Sequence, residues 1–248
     1  METKNELLKI AIRGALEAGK AIIHIYDDPN ADFGIERKAD NSPLTRADKA
    51  AHAVITHHLL PTGIPILSEE GAHEPYEVRR TWRRLWIVDP LDGTKEFIKR
   101  NGEFTVNIAL VEDGTPVLGV IYVPVKDELY YGFDSEVSFS TESTDSRPYI
   151  CVASRSHLSQ ETEVFIEGLR KDHPDLQLVS SGSSLKICLV AEGKADIYPR
   201  HAPTMEWDTA AGDAIARAAG CSVVDAITGE PLTYNKEDLH NPWFIVKR

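Results

Sequence analysis

The sequence predicts a mixed α/β (α+β) protein built in layers, with an α+β half over residues 1–140 and an α/β half over residues 141–248. Three observations predict it. Apolar residues recur at helical spacing in two segments near the start of the chain. Runs at 105–111, 117–123 and 128–133, separated by turn residues, read as an antiparallel meander. Past a Ser-, Thr-, Glu- and Asp-rich stretch at 135–147, strand and helix patterns alternate.

Leu7, Leu8, Ile10, Ala11, Ala15, Ala18, Ile22 and Ile23 share one face of a helix over 4–26. Thr45 caps a second helix with Asp48 in its first turn and Ala51, Val54, Ile55 and Leu59 on its apolar face; Pro61-Thr62-Gly63 closes it. Residues 64–67 form a strand that ends in Ser68-Glu69-Glu70-Gly71. Trp86-Ile87-Val88 is a short buried strand, expected to stop at Asp89 because Pro90 cannot donate to a ladder. In the second half, strands are expected at 149–153, 177–180, 195–198, 222–225 and 243–246, and helices at 160–171, 184–192 and 208–219. Ala210, Ala211, Gly212, Ala214 and Ala218 let the last helix pack closely on a neighbour.

A hydrophobic content of 42% and a charged content of 27% over 248 residues describe an ordinary globular protein with a substantial core. The formal charge of −12 argues against a nucleic-acid or anionic-membrane binder relying on bulk positive charge, so a phosphorylated ligand would need local cations. Cys151, Cys188 and Cys221 are odd in number and widely spaced, which fits neither a disulfide framework nor a zinc knuckle. With no signal peptide and no long apolar run, the expected compartment is the cytoplasm, with no integral membrane segment. Arg79, Arg80, Arg83 and Arg84 around Trp82 read as a solvated face, and His57-His58, lacking a third ligand at useful spacing, as structural.

The chemistry concentrates in Asp89-Pro90-Leu91-Asp92-Gly93-Thr94, two carboxylates at the end of an apolar run followed by Gly-Thr. Two carboxylates about 5 Å apart repel by roughly 3 kcal/mol at an effective dielectric near 20, so keeping both ionised calls for a cation. After the turn, Gly93 permits close backbone approach, and the N–H groups of a helical turn starting at Thr94 can face an anion. The pentapeptide alone is equally an ordinary surface turn. An EF-hand loop is disfavoured, because its third and twelfth positions would be Leu91 and Arg100. Asp48, Glu69 and Asp208 share the setting of Asp89 and Asp92, each at a strand end or helix start; for Asp208 taken alone, helix capping is the simpler role.

Leu67-Ser68-Glu69-Glu70, Asp89-Pro90-Leu91-Asp92-Gly93-Thr94 and Trp207-Asp208-Thr209-Ala210-Ala211-Gly212 are similar, in order and separation, to the three signatures of the inositol monophosphatase superfamily. Within it the chain resembles the bacterial 3′(2′),5′-bisphosphate nucleotidases. That narrower likeness rests on Lys38-Ala39-Asp40-Asn41-Ser42-Pro43-Leu44-Thr45, on the run from Gly93 to Leu110, and on Ser154-Arg155-Ser156-His157, Gly182-Ser183-Ser184-Leu185-Lys186 and Tyr198-Pro199-Arg200.

The resemblance implies a layered α-β-α-β-α sandwich of the inositol monophosphatase and fructose-1,6-bisphosphatase kind, with the site between its halves. It implies magnesium, two or three ions per site, held by Glu69, Asp89, Asp92, Asp208 and the carbonyl of Leu91. Asp48 and Thr94 would orient and deprotonate the attacking water, with Glu69 also among the catalytic groups. Gly93 and Thr94 would hold the scissile phosphate, and His157, Ser183, Lys186, Arg200 and Asp208 the nucleotide. Lys186 and Arg200 make chemical sense as local cations for a second phosphate, although taken singly each reads as an ordinary surface charge. The implied substrate is the small molecule 3′-phosphoadenosine 5′-phosphate, a by-product of sulfate activation, with its sulfated precursor as a further candidate, and with inhibition by lithium and calcium. Other phosphatases of the superfamily, and a non-catalytic phosphonucleotide or metal sensor, stay open as rivals. So do a monomer or homodimer and a loose association with the inner membrane.

Overall fold

Thr3 begins the first helix, α1 (Lys4–Tyr26), with a reciprocal cap: its hydroxyl accepts from Glu6 N at 3.3 Å while the Glu6 carboxylate accepts from Thr3 N at 2.7 Å. The computed structural model describes residues 3–30, 32–38, 42–141, 147–154 and 159–248. After α1 come β1 (Glu36–Arg37), β2 (Pro43–Leu44), α2 (Arg46–Leu59), a single 3₁₀ turn, β3 (Ile66–Ser68), α3 (Tyr76–Arg79), β4 (Arg84–Asp92) and α4 (Thr94–Ile98). The meander is β5 (Thr105–Glu112), β6 (Thr115–Val123), β7 (Glu128–Phe133) and β8 (Glu136–Val137). The remainder is β9 (Ile150–Ser154), α5 (Gln160–Asp172), β10 (Gln177–Ser181), α6 (Leu185–Glu192), β11 (Ile197–Arg200), α7 (Glu206–Ala218), β12 (Ser222–Asp225) and β13 (Phe244–Lys247).

Strands β3 to β8 form a six-stranded sheet in sequence order, with β3 parallel to β4 and the other neighbours antiparallel. A five-stranded sheet runs β10-β9-β11-β13-β12, parallel across its first three strands and antiparallel across β11, β13 and β12. Alternation along β4 sets the layers. Trp86 and Val88 pack with Leu7, Ile22 and Ile55 under α1 and α2, whereas Leu85 and Ile87 pack with Ile187, Ala211, Ile215 and Phe244 between the two sheets. Cys151, Ile166, Leu176 and Ile197 close the outer face under α5. The result is the expected five-layer α-β-α-β-α sandwich, with α6 and α7 as the central layer.

The seat of α7 is built by absent side chains. A Cβ on Gly119 would lie 2.1 Å from the carbonyl oxygen of Ala211, and one on Gly132 would lie 2.8 Å from the Cα of Ile215. Glycine on β6 and β7 therefore lets the helix backbone rest on the sheet, with Ala211 and Ala214 at the contact. This fixes the height of the α7 N-terminus, where Asp208 stands.

Three local expectations change. Strand β4 does not stop at Asp89; it passes through Pro90 to Asp92, with a register shift between Asp89 and Asp92. A proline fits such a bulge, where no ladder donor is needed. Helix α7 begins at Glu206, two residues before the expected start, so Asp208 sits within its first turn. Arg79 is 4% exposed and not part of a solvated face: its guanidinium donates to Asn235 Oδ1 at 2.8 Å and to the carbonyls of Glu74 and Lys236. The short elements α3, β1, β2 and β8 carry too few residues to show periodicity. Cys151, Cys188 and Cys221 are buried and unbridged. No helix among the described residues is long and apolar enough to cross a membrane.

Candidate active site

Regular alternation along β4 points Asp89 toward the central layer, and the register shift after it brings Asp92 to the same side. Asp89 pairs across the ladder with Asn107 of β5 on the face that carries Ile87 and Ala109, and its Oδ1 accepts from Leu91 N at 3.0 Å. Asp208 reaches the same place from α7, with its Oδ2 accepting from Met205 N at 2.8 Å. One carboxylate oxygen from each of Asp89, Asp92 and Asp208 lies within 4.8 Å of the others. Glu69, at the end of β3 beside β4, stands close enough to Asp89 to perturb its carboxyl.

Burial raises all of these acids, and mutual repulsion adds to it at Asp89 and Asp208. Asp89 is pushed well above the usual carboxylate range by burial and by Glu69, Asp92 and Asp208. Burial, reinforced by Asp92, lifts Asp208 to about 8, and Asp92 and Glu69 rise chiefly through burial. Lys38 offsets part of this, donating to Glu69 Oε1 at 2.7 Å and to Glu70 Oε1 at 2.5 Å. A compact, hard-oxygen donor set held at raised pKa fits a divalent cation.

Asp48 and Thr94 come together from α2 and α4. Asp48 Oδ2 accepts from Thr45 N at 2.8 Å and Thr45 Oγ1 at 2.5 Å, and Asp48 Oδ1 lies 3.1 Å from Thr94 Oγ1. The Thr94 hydroxyl is also 3.3 Å from the Leu91 carbonyl. Burial raises the Asp48 carboxyl, against the lowering effect of the Thr45 bonds. Gly93 turns the chain between the acids and Thr94 at φ +94°, a left-handed conformation that favours glycine.

A cleft of about 270 Å³ is lined by Glu69, Asp92, Gly93, Thr94, Ser183, Lys186, Arg200 and Asp208, among others. Lys186 is 5% exposed; its ammonium donates to the Ser183 carbonyl, lies 5.4 Å from the Tyr198 ring centroid, and is lowered to about 8 by burial. Ser183 Oγ and Arg200 Nε are buried with no hydrogen-bond partner among the described residues. Asp48, Asp89 and Leu91 are buried and are not among the residues that line the cleft. His157 lies outside the described residues.

Several participants were given no role from the sequence. Lys38 and Glu70 fall inside matched motifs, yet nothing in their spacing shows an ion pair across the chain. Asn107 had a signal, a lone amide in the otherwise apolar strand Val106-Asn107-Ile108-Ala109. Ser184 falls inside a matched motif and otherwise read only as a helix start.

A layered fold with clustered acids facing a cation-lined cleft defines a class. The inositol monophosphatase family model matches residues 3–243, and the chain belongs to that family. Among its relatives, the 3′(2′),5′-bisphosphate nucleotidase CysQ of Escherichia coli strain K12 is 49% identical over 242 residues, covering 94% of this chain and 96% of the relative. CysQ of Salmonella typhimurium LT2 is 50% identical with the same coverage. The crystal structure of CysQ from Bacteroides thetaiotaomicron superposes with a TM-score of 0.89 at 56% identity, covering 98% of this chain and 97% of that one.

Proposed function

We infer that this chain is a 3′(2′),5′-bisphosphate nucleotidase that hydrolyses 3′-phosphoadenosine 5′-phosphate to AMP and phosphate, with the sulfated precursor as a further substrate. The observation that carries the reading is the cleft itself. It sets Ser183, Lys186 and Arg200 beside Asp92, Thr94 and Asp208, so that a second phosphate finds cations while the first faces the acids.

The cofactor is read as two or three magnesium ions held by Glu69, Asp89, Asp92, Asp208 and the Leu91 carbonyl; when bound, magnesium supplies charge neutralisation and Lewis acidity. Thr94 Oγ donates its proton to Asp48 Oδ1, which leaves a lone pair to accept from the attacking water. Its raised pKa makes Asp48 a better base than an exposed aspartate. The water oxygen attacks phosphorus as its proton passes to the Thr94–Asp48 pair, the bond to the ribose 3′ oxygen breaks, and that oxygen takes a proton from a solvent water while Asp48 returns its own to solvent. Backbone N–H groups at Gly93 and Thr94 hold the phosphate oxygens. Residues 1–140 then supply most of the metal ligands, and residues 141–248 supply Asp208 and the nucleotide contacts.

The test is phosphate release from 3′-phosphoadenosine 5′-phosphate and from inositol 1-phosphate, each with magnesium and with chelator. Magnesium-dependent preference for the nucleotide is expected. A preference for inositol phosphate would keep the acids and overturn the substrate.

A further inference from the structure

Four elements meet at one hydroxyl. Ser184 Oγ lies 2.6 Å from Asp92 Oδ2 at the end of β4, and 2.8 Å from the carbonyl oxygen of Asp208 in α7. Asn107 Nδ2, from β5, donates to the same Oγ at 2.9 Å and lies 3.4 Å from Asp92 Oδ2. Ser184 is 3% exposed and Asn107 1%.

Two features argue that this contact serves the site and not only the helix. Ser184 occupies the N-cap of α6, where a serine hydroxyl ordinarily accepts from the backbone, yet it makes no capping bond and points to Asp92. The Asn107 amide is turned so that its N–H₂ serves Ser184 and Asp92, while its Oδ1 is buried with no partner among the described residues. An unsatisfied buried carbonyl is costly. The opposite amide orientation would aim that carbonyl at the Asp92 carboxylate, which is worse.

We propose that Ser184 and Asn107 are positioning residues: they fix one oxygen of Asp92 and so orient the carboxylate that receives the cation. The inference rests on the reading of Asp92 as a metal ligand. A hydroxyl bonded to an ionised carboxylate at this distance is charge-assisted and directional, which suits a group that must hold an acid at a set angle. Outer-shell partners of this kind typically change metal affinity about 10- to 100-fold.

The experiment is calorimetric titration of magnesium into the substrate-free full chain as wild type, Ser184→Ala, Ser184→Thr and Asn107→Ala, with melting of each in chelator. Ser184→Ala and Asn107→Ala are expected to weaken magnesium binding at least about tenfold, and Ser184→Thr, which keeps the hydroxyl, to recover most of it. A purely structural role would lower the chelator melting temperature and leave magnesium affinity at the wild-type value, which would overturn the proposal. Should Ser184→Ala not fold, Asn107→Ala decides by the same criterion. Absence of magnesium binding by the wild type would bring down the metal reading, and this inference with it.

Discussion

Replacing Lys186 with methionine tests the proposed second-phosphate contact, because methionine keeps an unbranched stem of similar length against Tyr198 while removing the charge. Lys186 is 5% exposed, so its ammonium meets a ligand with little water between. A buried hydrogen bond to a charged group is worth about 1.5–3 kcal/mol, and about 1.4 kcal/mol is tenfold. Ser183, Arg200 and the metal site remain, so kcat/KM for 3′-phosphoadenosine 5′-phosphate should fall roughly 10- to 150-fold. The control substrate is 3′-AMP, the same nucleoside and scissile phosphate without the 5′-phosphate, for which the loss should stay under about threefold. The assay is initial-rate phosphate release on both substrates. The proton is predicted to leave as pH rises through about 8, because burial depresses the amine to that value. The wild type's preference for the bisphosphate should therefore fade above that pH, while the variant's should stay flat. Equal losses on both substrates would refute the assignment.

Asp48→Asn keeps the shape of the Asp48–Thr94 pair but cannot take a proton, so kcat should drop about 10²- to 10⁴-fold with magnesium affinity unchanged by calorimetry; an unaltered kcat would exclude Asp48 as base. In chelator, Asp89, Asp92 and Asp208 hold protons in the folded state that the unfolded chain releases from near pH 4, and Asp208 does so up to about 8. The folded state then binds more protons across this window, so the metal-free protein should lose stability as pH rises through it, and magnesium should shrink that loss. Thermal melts with and without chelator read this, and a metal-free melting temperature that climbs from about pH 6 to about pH 8 would contradict it. Gly119→Ala drives a methyl to 2.1 Å from the Ala211 carbonyl and should cost about 1–3 kcal/mol by denaturant unfolding, with weaker magnesium binding because α7 carries Asp208.

What the sequence could show follows from range. Helix α1, with its long apolar face, and the meander strands, bounded by turn residues, were legible because their signals are local. The run through Asp89 was legible as chemistry but not as backbone, since a bulge can seat a proline that a regular ladder would reject. Arg79 looked like a surface charge because its acceptors, the Asn235 side chain and the Lys236 carbonyl, lie far along the chain. Likewise Asp208 offered only a helix start, and its place beside Asp89 and Asp92 depends on where two glycines in other strands let α7 rest. Motif resemblance reached that residue where periodicity could not.

The glycine seat also bears on biosynthesis. The six-stranded sheet is complete once β8 ends at Val137, yet the face that holds Gly119 and Gly132 stays uncovered until α7, ending at Ala218, has been made. A nascent chain must therefore carry an uncovered apolar surface through the synthesis of six further elements, β9 to α7, the interval in which partly folded proteins self-associate. Ribosome-arrested chains that carry a flexible linker after residue 140, long enough to bring β8 out of the exit tunnel, should accordingly bind a hydrophobic dye that released full-length chains do not, and equal dye binding would show that the face is shielded by other means.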